Sequence, residues 1–351
     1  HPGVNLIVGE NAQGKTNLLE SVFYLSTGKS FRTARNQELI RFGAEFADLS
    51  CTLFSGGREQ SLRAVLFSGR RPRQLYIGGV KQRSAAGLSG VLTTVLFCPD
   101  DLLILKSGSS GRRKILDTAL CQLRPGYAQA LAEYQKLYDS KSRILKDYHD
   151  APSLLEPLPE FNYRMAQVGA VVIAYRAKFL RELSKQARLY HAEFSGGREE
   201  LSLVYQTVST VTDPFADKKT IFQQLLDHQQ GHYRAELDSG QCLSGPHKDD
   251  FETLLGERSV KAYGSQGQTR TAAISLKLAE RELFRADTGE EPVLLLDDVL
   301  SELDARRQDF VLNQIRSGQV LITCCEPDRL SDIGKRILIE NGQVREDPAC
   351  I

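Results

Sequence analysis

Val4-Asn5-Leu6-Ile7-Val8-Gly9-Glu10-Asn11-Ala12-Gln13-Gly14-Lys15-Thr16-Asn17-Leu18-Leu19-Glu20 reads as a short apolar run, a turn, and the start of an amphipathic helix. The turn matches G-x-x-x-x-G-K-[ST], with Gly9, Gly14, Lys15 and Thr16 at the required spacing. Glycine at both positions lets the backbone wrap closely, so that successive N–H groups from Gly9 through Asn11, Ala12, Gln13 and on to Asn17 converge on an anion. Lys15 would reach the outer phosphates of a nucleotide, and the Thr16 hydroxyl would ligate Mg2+. The helix that follows offers unpaired N–H groups and the positive end of its dipole. The plain alternative is an ordinary Gly-rich turn. The strand before it and the helix after it favour a phosphate loop.

A phosphate loop calls for an acid-ended strand elsewhere, and Pro292-Val293-Leu294-Leu295-Leu296-Asp297-Asp298 supplies one. Its apolar run is that of a buried parallel strand. Asp297 is placed to hold the Mg2+ that Thr16 also touches. Asp298, one residue on, points elsewhere and could orient or activate water. Two such acids could instead cap the next helix. Ser301-Glu302-Leu303-Asp304 follows, then a helix expected over 305–316 and a last buried strand over 319–323, running into Cys324-Cys325-Glu326-Pro327. Upstream, Tyr263-Gly264-Ser265-Gln266-Gly267-Gln268-Thr269-Arg270 opens a helix expected over 271–285. Small and polar residues there make either a plain N-cap or a second anion site.

Between these motifs the pattern changes twice. Alternating segments at 47–54, 60–67 and 74–77 predict antiparallel strands. From about residue 101 to 239 the chain turns mostly helical. Tyr127, Leu131, Tyr134, Tyr138, Leu145 and Tyr148, then Phe161, Met165, Val168, Val172, Tyr175, Phe179 and Leu183, recur at helical spacing. The joining stretch 151–159 is too proline-rich to be helical, so the two helices should pack antiparallel as a short arm. Ser244-Gly245-Pro246-His247-Lys248-Asp249-Asp250 is a compact polar turn whose His247 has no chemistry of its own to offer. The expected divisions are residues 1–100 and 241–351 for two halves of one α/β lobe, with 101–240 as a helical insertion.

The formal charge of +1 over 351 residues gives no whole-chain basic field, so any nucleic-acid contact must come from local patches. Arg32 lies in such a patch, near the phosphate loop, and could assist a phosphate or touch a nucleic-acid backbone; a solvated loop charge is the alternative. Arg70, Arg71 and Arg73, with Lys81, form a basic hairpin, for which a solvated face is the commoner explanation. No apolar run is long enough to cross a bilayer. Seven scattered cysteines, an odd number without a C-x-x-C pair, support neither a zinc site nor a disulfide framework, and a reducing cytosol is the expected home. The chain opens His1-Pro2-Gly3 with no initiating Met, and further residues are expected ahead of it.

Taken in order, GENAQGKTNLLE, GKSFRT, CPDDLLILKSG with Arg112-Arg113, SGPHKDD, YGSQGQTR and LLLDDVLSELD resemble the ABC-type ATPase heads of the SMC class, and within it the RecF family. The resemblance implies an α/β P-loop ATPase head, a mixed sheet with helices, plus a mostly helical second lobe with a short antiparallel arm. The family pattern starts with strands ahead of the phosphate loop, which this chain lacks. It implies that Lys15, Thr16 and Asp297 bind Mg-ATP in one protomer, while Ser265, Gln266, Gly267 and Gln268 of the other close over the γ-phosphate. Ser301 to Asp304 would lie across the seam of that ATP-dependent homodimer. Asp298 stands where many ABC ATPases have Glu, which implies slow hydrolysis, suited to a timed clamp. No histidine stands near Thr323 and Cys324, so the γ-phosphate sensor is unassigned; the glutamine loop would fall near Cys98–Asp101. ATP-promoted, DNA-stimulated action on double-stranded or gapped DNA is implied, with RecR as partner in recombinase loading, in the cytoplasm at the nucleoid. Arg112 and Arg113 join the basic hairpin as expected phosphate contacts. A transporter nucleotide-binding subunit, a defence-type ATPase of the same class, and a scaffold with a decayed site are the other readings.

Overall fold

The computed structural model of the chain describes residues 1–325 and 333–345. Glu326, Pro327 and Cys350 therefore lie outside the described residues. In chain order the first elements are β1 (Val4–Val8), α1 (Lys15–Thr27), β2 (Phe46–Ser55), β3 (Arg58–Phe67), β4 (Gln74–Ile77), β5 (Val80–Gln82) and β6 (Thr94–Phe97). A 3-10 turn over Pro99–Lys106 leads to α2 (Ser109–Leu123), α3 (Pro125–Asp147), α4 (Leu158–Ser195), β7 (Leu201–Gln206) and α5 (Lys218–Ser239). Next come β8 (Asp250–Leu255), β9 (Arg258–Ser259), α6 (Val260–Tyr263) and α7 (Gln266–Thr288). The chain finishes with β10 (Val293–Asp297), α8 (Ala305–Gln314), β11 (Val320–Cys324), β12 (Lys335–Glu340) and β13 (Gln343–Arg345).

The central sheet has the order β13-β12-β1-β11-β10-β6 and is parallel except for the β12–β13 hairpin. Leu6, Ile7, Leu294, Leu295, Leu296, Val320 and Ile322 are buried in it, which is why those strands carry continuous apolar runs instead of alternation. Register matters more than membership. Val8 pairs with Cys324 and Leu338, and Asp297 pairs with Thr323. The phosphate loop, both aspartates and the end of β11 therefore leave the sheet along one carboxyl edge, where parallel α/β sheets bind ligands. β11 is not the last strand, as expected from sequence; β12 and β13 follow it.

A second sheet, β2-β3-β4-β5, packs on α1 through Tyr24, Leu62, Leu66 and Leu75. The third, β7-β8-β9, belongs with the helices. Its β7–β8 pairing runs across the division expected at residue 240. α3 and α4 pack on each other, and α4 also lies along α7, α5 and β7. Met165, Val168, Val172, Phe179 and Leu183 are buried there as core, so α4 is a spine of the lobe more than a free arm. It starts at Leu158, inside the stretch expected to be non-helical. Pro159 falls in its first turn, where a missing N–H costs nothing. No helix among the described residues is long and apolar enough to cross a membrane.

The SGPHKDD turn fastens this lobe. Arg176 on α4 donates to Asp117 at 2.8 and 2.9 Å, to Asp249 at 3.0 Å and to the Pro246 carbonyl at 2.7 Å. Asp249 is fully buried and also accepts from Thr207 at 2.6 Å and from Tyr205. His247 sits between Tyr134 (2.7 Å to Nδ1) and the Cys242 carbonyl (2.9 Å from Nε2). A carbonyl only accepts, so Nε2 carries the hydrogen and Nδ1 accepts from the tyrosine. Burial pushes this imidazole down to about 4, against the bond to Cys242 and helped by Lys248, Lys141 and Arg113. A folded pKa below the unfolded value of roughly 6.5 leaves its contribution intact above that pH. The contribution is lost as pH falls toward 4. The stability advantage of wild type over His247→Gln should therefore shrink by about 3 kcal/mol between pH 7 and 4, read from urea unfolding. A pH-independent difference would remove the neutral, buried imidazole from the account.

Candidate functional site

β1 ends at Val8, and the chain wraps from Gly9 to Gly14 before α1 begins. A side chain at Gly9 would collide with the Ile339 carbonyl of β12, and Gly14 sits at φ 104°, where glycine is strongly preferred. Ala12 adopts φ 64°, a left-handed position held by a non-glycine. Lys15, 8% exposed, turns back into the loop and donates to the carbonyls of Gly9 (2.6 Å) and Glu10 (2.9 Å). Its ammonium also lies 3.3 Å from Cys325 Sγ, which in turn is 3.0 Å from Asn11 Oδ1. The β12–β13 turn grips the loop from the other side. Asn341 N–H donates to Gln13 Oε1 at 2.6 Å, and Gly342 N–H to the Gln13 carbonyl at 3.1 Å.

Thr16 Oγ1 donates to Asp297 Oδ1 at 3.0 Å, joining residues 281 positions apart. Thr323 Oγ1 donates to the same oxygen at 3.0 Å and accepts from Asp298 N–H at 2.8 Å. Asp298 has φ 52°, and its exposed carboxylate accepts from Ser301 Oγ at 3.1 Å. The two adjacent acids thus part company, one turned to Thr16 and one to solvent. Asn17 accepts from Arg32 at 3.0 Å, so Arg32 stands beside the first turn of α1 and also reaches Glu20 at 3.4 Å. Cys98 follows the end of β6, next to Asp297 on β10, and its N–H is bound by Asp101 at 2.9 Å.

Ser265 caps α7. It accepts from Gln268 N–H at 3.2 Å, and Gln268 Oε1 accepts from Ser265 N–H at 2.9 Å. Ser265 and Gln266 are exposed. Two residues that sequence reading missed clamp this start. Glu199 accepts from Gln268 Nε2 at 2.8 Å, and Arg307 donates to the Gly267 carbonyl at 2.9 Å while pairing with Asp304. Arg307 follows Asp304 by three positions, a helical spacing visible in sequence. Glu199 carries no such signal. Among the described residues no hydrogen bond joins this helix start to the phosphate loop.

The expected basic contacts scatter. Arg70, Arg71 and Lys81 are exposed on the β2–β5 sheet, with Arg71 stacked 4.1 Å over Phe67. Arg73 donates to Tyr24 Oη at 2.8 Å and to the Gly28 carbonyl, an internal strut. Arg112 corrects the expectation outright. It is 3% exposed and held bidentately by Asp250 at 2.7 Å. Arg113 is half-buried and donates to the Asp249 carbonyl at 2.6 Å.

The RecF/RecN/SMC N terminal domain family matches residues 1–344. The DNA replication and repair protein RecF of Staphylococcus haemolyticus is 38% identical over 333 residues, covering 93% of this chain and 88% of that protein. Its namesake from Acetivibrio thermocellus is 36% identical over 329 residues, covering 93% and 88%. A solved structure of the recombination mediator protein RecF with ATP, in the RecFOR pathway, superposes with a TM-score of 0.90 at 32% identity, covering 99% of this chain and 92% of that one. The Smc head domain of Pyrococcus furiosus shares the fold, with a TM-score of 0.52 at 14% identity over 98% and 89%. Similarity of this extent, running from β1 through β13 and not through the phosphate loop alone, places the chain in the RecF family.

Proposed function

We propose that this chain is an ATP-dependent DNA-binding protein of recombinational repair and replication, which dimerises around ATP and hydrolyses it slowly. The observation that carries the nucleotide reading is the meeting of the Thr16 hydroxyl and the Asp297 carboxylate at 3.0 Å, one residue on from the lysine whose ammonium is folded into the loop. One hydroxyl and one carboxylate are a partial oxygen set, which fits Mg2+, an ion that keeps waters and takes phosphate oxygens from its nucleotide. Bound there, Mg2+ would neutralise charge on the phosphates. Lys15 and the N–H groups from Asn11 to Asn17 would hold those phosphates. Asp298, free of Thr16 and exposed, is the residue proposed to orient water.

Ser265, Gln266, Gly267 and Gln268 would complete the site from a second copy. The exposure of Ser265 and Gln266, and the absence of hydrogen bonds from this helix start to its own phosphate loop among the described residues, support that reading. Ser301 and Asp304 would line the seam. Double-stranded or gapped DNA as ligand, DNA stimulation of a weak ATPase, RecR as partner and a cytoplasmic, nucleoid-associated setting follow from the family. The proposed division is an ATPase lobe built from residues 1–100 and 241–351 around a helical insertion at 101–240, with β8 reaching back across the boundary to pair with β7.

Light scattering with and without Mg-ATP tests the composite site. Wild type is expected to double in mass with ATP, and Ser265→Arg to stay monomeric while still binding nucleotide. A mass indifferent to bound ATP would sink the in-trans arrangement.

A further inference from the structure

The helical lobe carries a cavity of about 580 Å³ between the end of α3, the end of α5 and the SGPHKDD turn. Arg143, Lys146 and Lys248 line it, all three exposed, with Ser142 and Gln241 as neutral donors and Asp139 as its one lining acid. The buried cations nearby already have carboxylate partners. Lys141 pairs with Glu236 at 2.6 Å, Arg112 with Asp250, and Arg176 with Asp117 and Asp249. Those pairs use none of the three cations that face the cavity. The frame behind them is stiff. Lys248 N–H is bound to the Gly245 carbonyl at 2.9 Å, and His247 is packed against Tyr138 at 4.7 Å between ring centres. The turn thus holds Lys248 across from the last helical turns of α3.

We infer that this cavity is a nucleic-acid phosphate site, through which the helical lobe grips the DNA backbone. The inference rests on the DNA-binding reading above and gives it residues that the basic hairpin does not contain. Three cations on long stems with two neutral donors suit phosphates read without regard to base. A protein partner would call for an apolar anchor at the centre. Here the lining aromatic is Tyr138, already packed on His247. The size admits a nucleotide unit or two.

The test is fluorescence anisotropy of labelled duplex DNA with the full chain and Mg-ATP, between about 50 and 200 mM salt. The variants are Arg143→Gln/Lys146→Gln and the same pair with Lys248→Gln. All are surface changes, and ATP affinity and thermal melting serve as controls. The triple variant should lose about tenfold or more in affinity at low salt. Its log–log salt slope should be shallower by about 2 to 3, at roughly 0.9 per phosphate contact. Nucleotide binding and ATP-linked dimerisation should not change.

Unaltered affinity and slope in the triple variant overturn the site and leave the DNA reading standing. Wild type that fails to bind duplex at low salt removes the DNA reading, and the site with it. Polyglutamate is the competing probe. If the three substitutions abolish its binding but spare duplex affinity, the cavity takes an acidic protein segment and the phosphate assignment is wrong.

Discussion

Lys15→Met is expected to lower ATP affinity by about a hundredfold or more, and ATP-enhanced duplex binding should go with it. Methionine keeps most of the apolar stem but removes every donor. The ammonium now sits among the Gly9 and Glu10 carbonyls at 2.6 and 2.9 Å, at the centre of the loop. Hydrogen bonds to charged groups contribute about 1.5–3 kcal/mol each, so losing two to a phosphate is worth two orders of magnitude or more. Calorimetric titration with Mg-ATP measures the first effect, and DNA titration with and without ATP measures the second. Retained ATP-dependent DNA binding in a variant blind to ATP would refute the coupling. Unfolding should shift far less than binding, because the substitution leaves the sheet untouched.

The second large effect is structural. Arg176→Met should cost about 3–5 kcal/mol of stability, the range for removing one partner of a buried ion pair. The guanidinium serves two acids on different elements. Asp117 lies on α2 and Asp249 in the turn before β8, and the latter has no solvent to fall back on. Methionine fills the stem's space but leaves both carboxylates without their cation, and the buried Asp249 with only its Thr207 and Tyr205 hydroxyls. Urea unfolding gives the loss. Adding Asp249→Asn to Arg176→Met should return part of it, since the second change removes the stranded charge. A loss below about 1 kcal/mol would mean that water reaches the pair and that the lobe is fastened elsewhere.

The phosphate loop and the acid-ended strand were legible because each is a short-range pattern: glycine spacing in one, a run of apolar residues in the other. The start of α7 was only partly legible: the helix was expected from 271, whereas the reciprocal cap between Ser265 and Gln268 starts it at Gln266. What failed was long-range. Arg112 looked like a free surface cation because its partner, Asp250, lies 138 positions away. The SGPHKDD turn looked inert for the same reason. Its aspartates mean little until α2 and α4 bring Arg112 and Arg176 to them. β8 and β9 were overlooked, being short and only partly apolar. β12 went unread because Lys335 and Arg336 mask the apolar Ile337, Leu338 and Ile339.

The grip of the β12–β13 turn on Gln13 bears on how the chain is made. β1 lies between β11 and β12, and Asn5 bonds to a carbonyl 315 positions further along. During synthesis, β1 must wait for β11 and β12 before either of its edges is paired. The β2–β5 sheet is local in the chain and can pair while the phosphate loop still lacks its neighbours on β12. The loop's contacts with Asn341 and Gly342 form only once β12 and β13 have been made, so a chain cut short before them should hold nucleotide more weakly than the whole one.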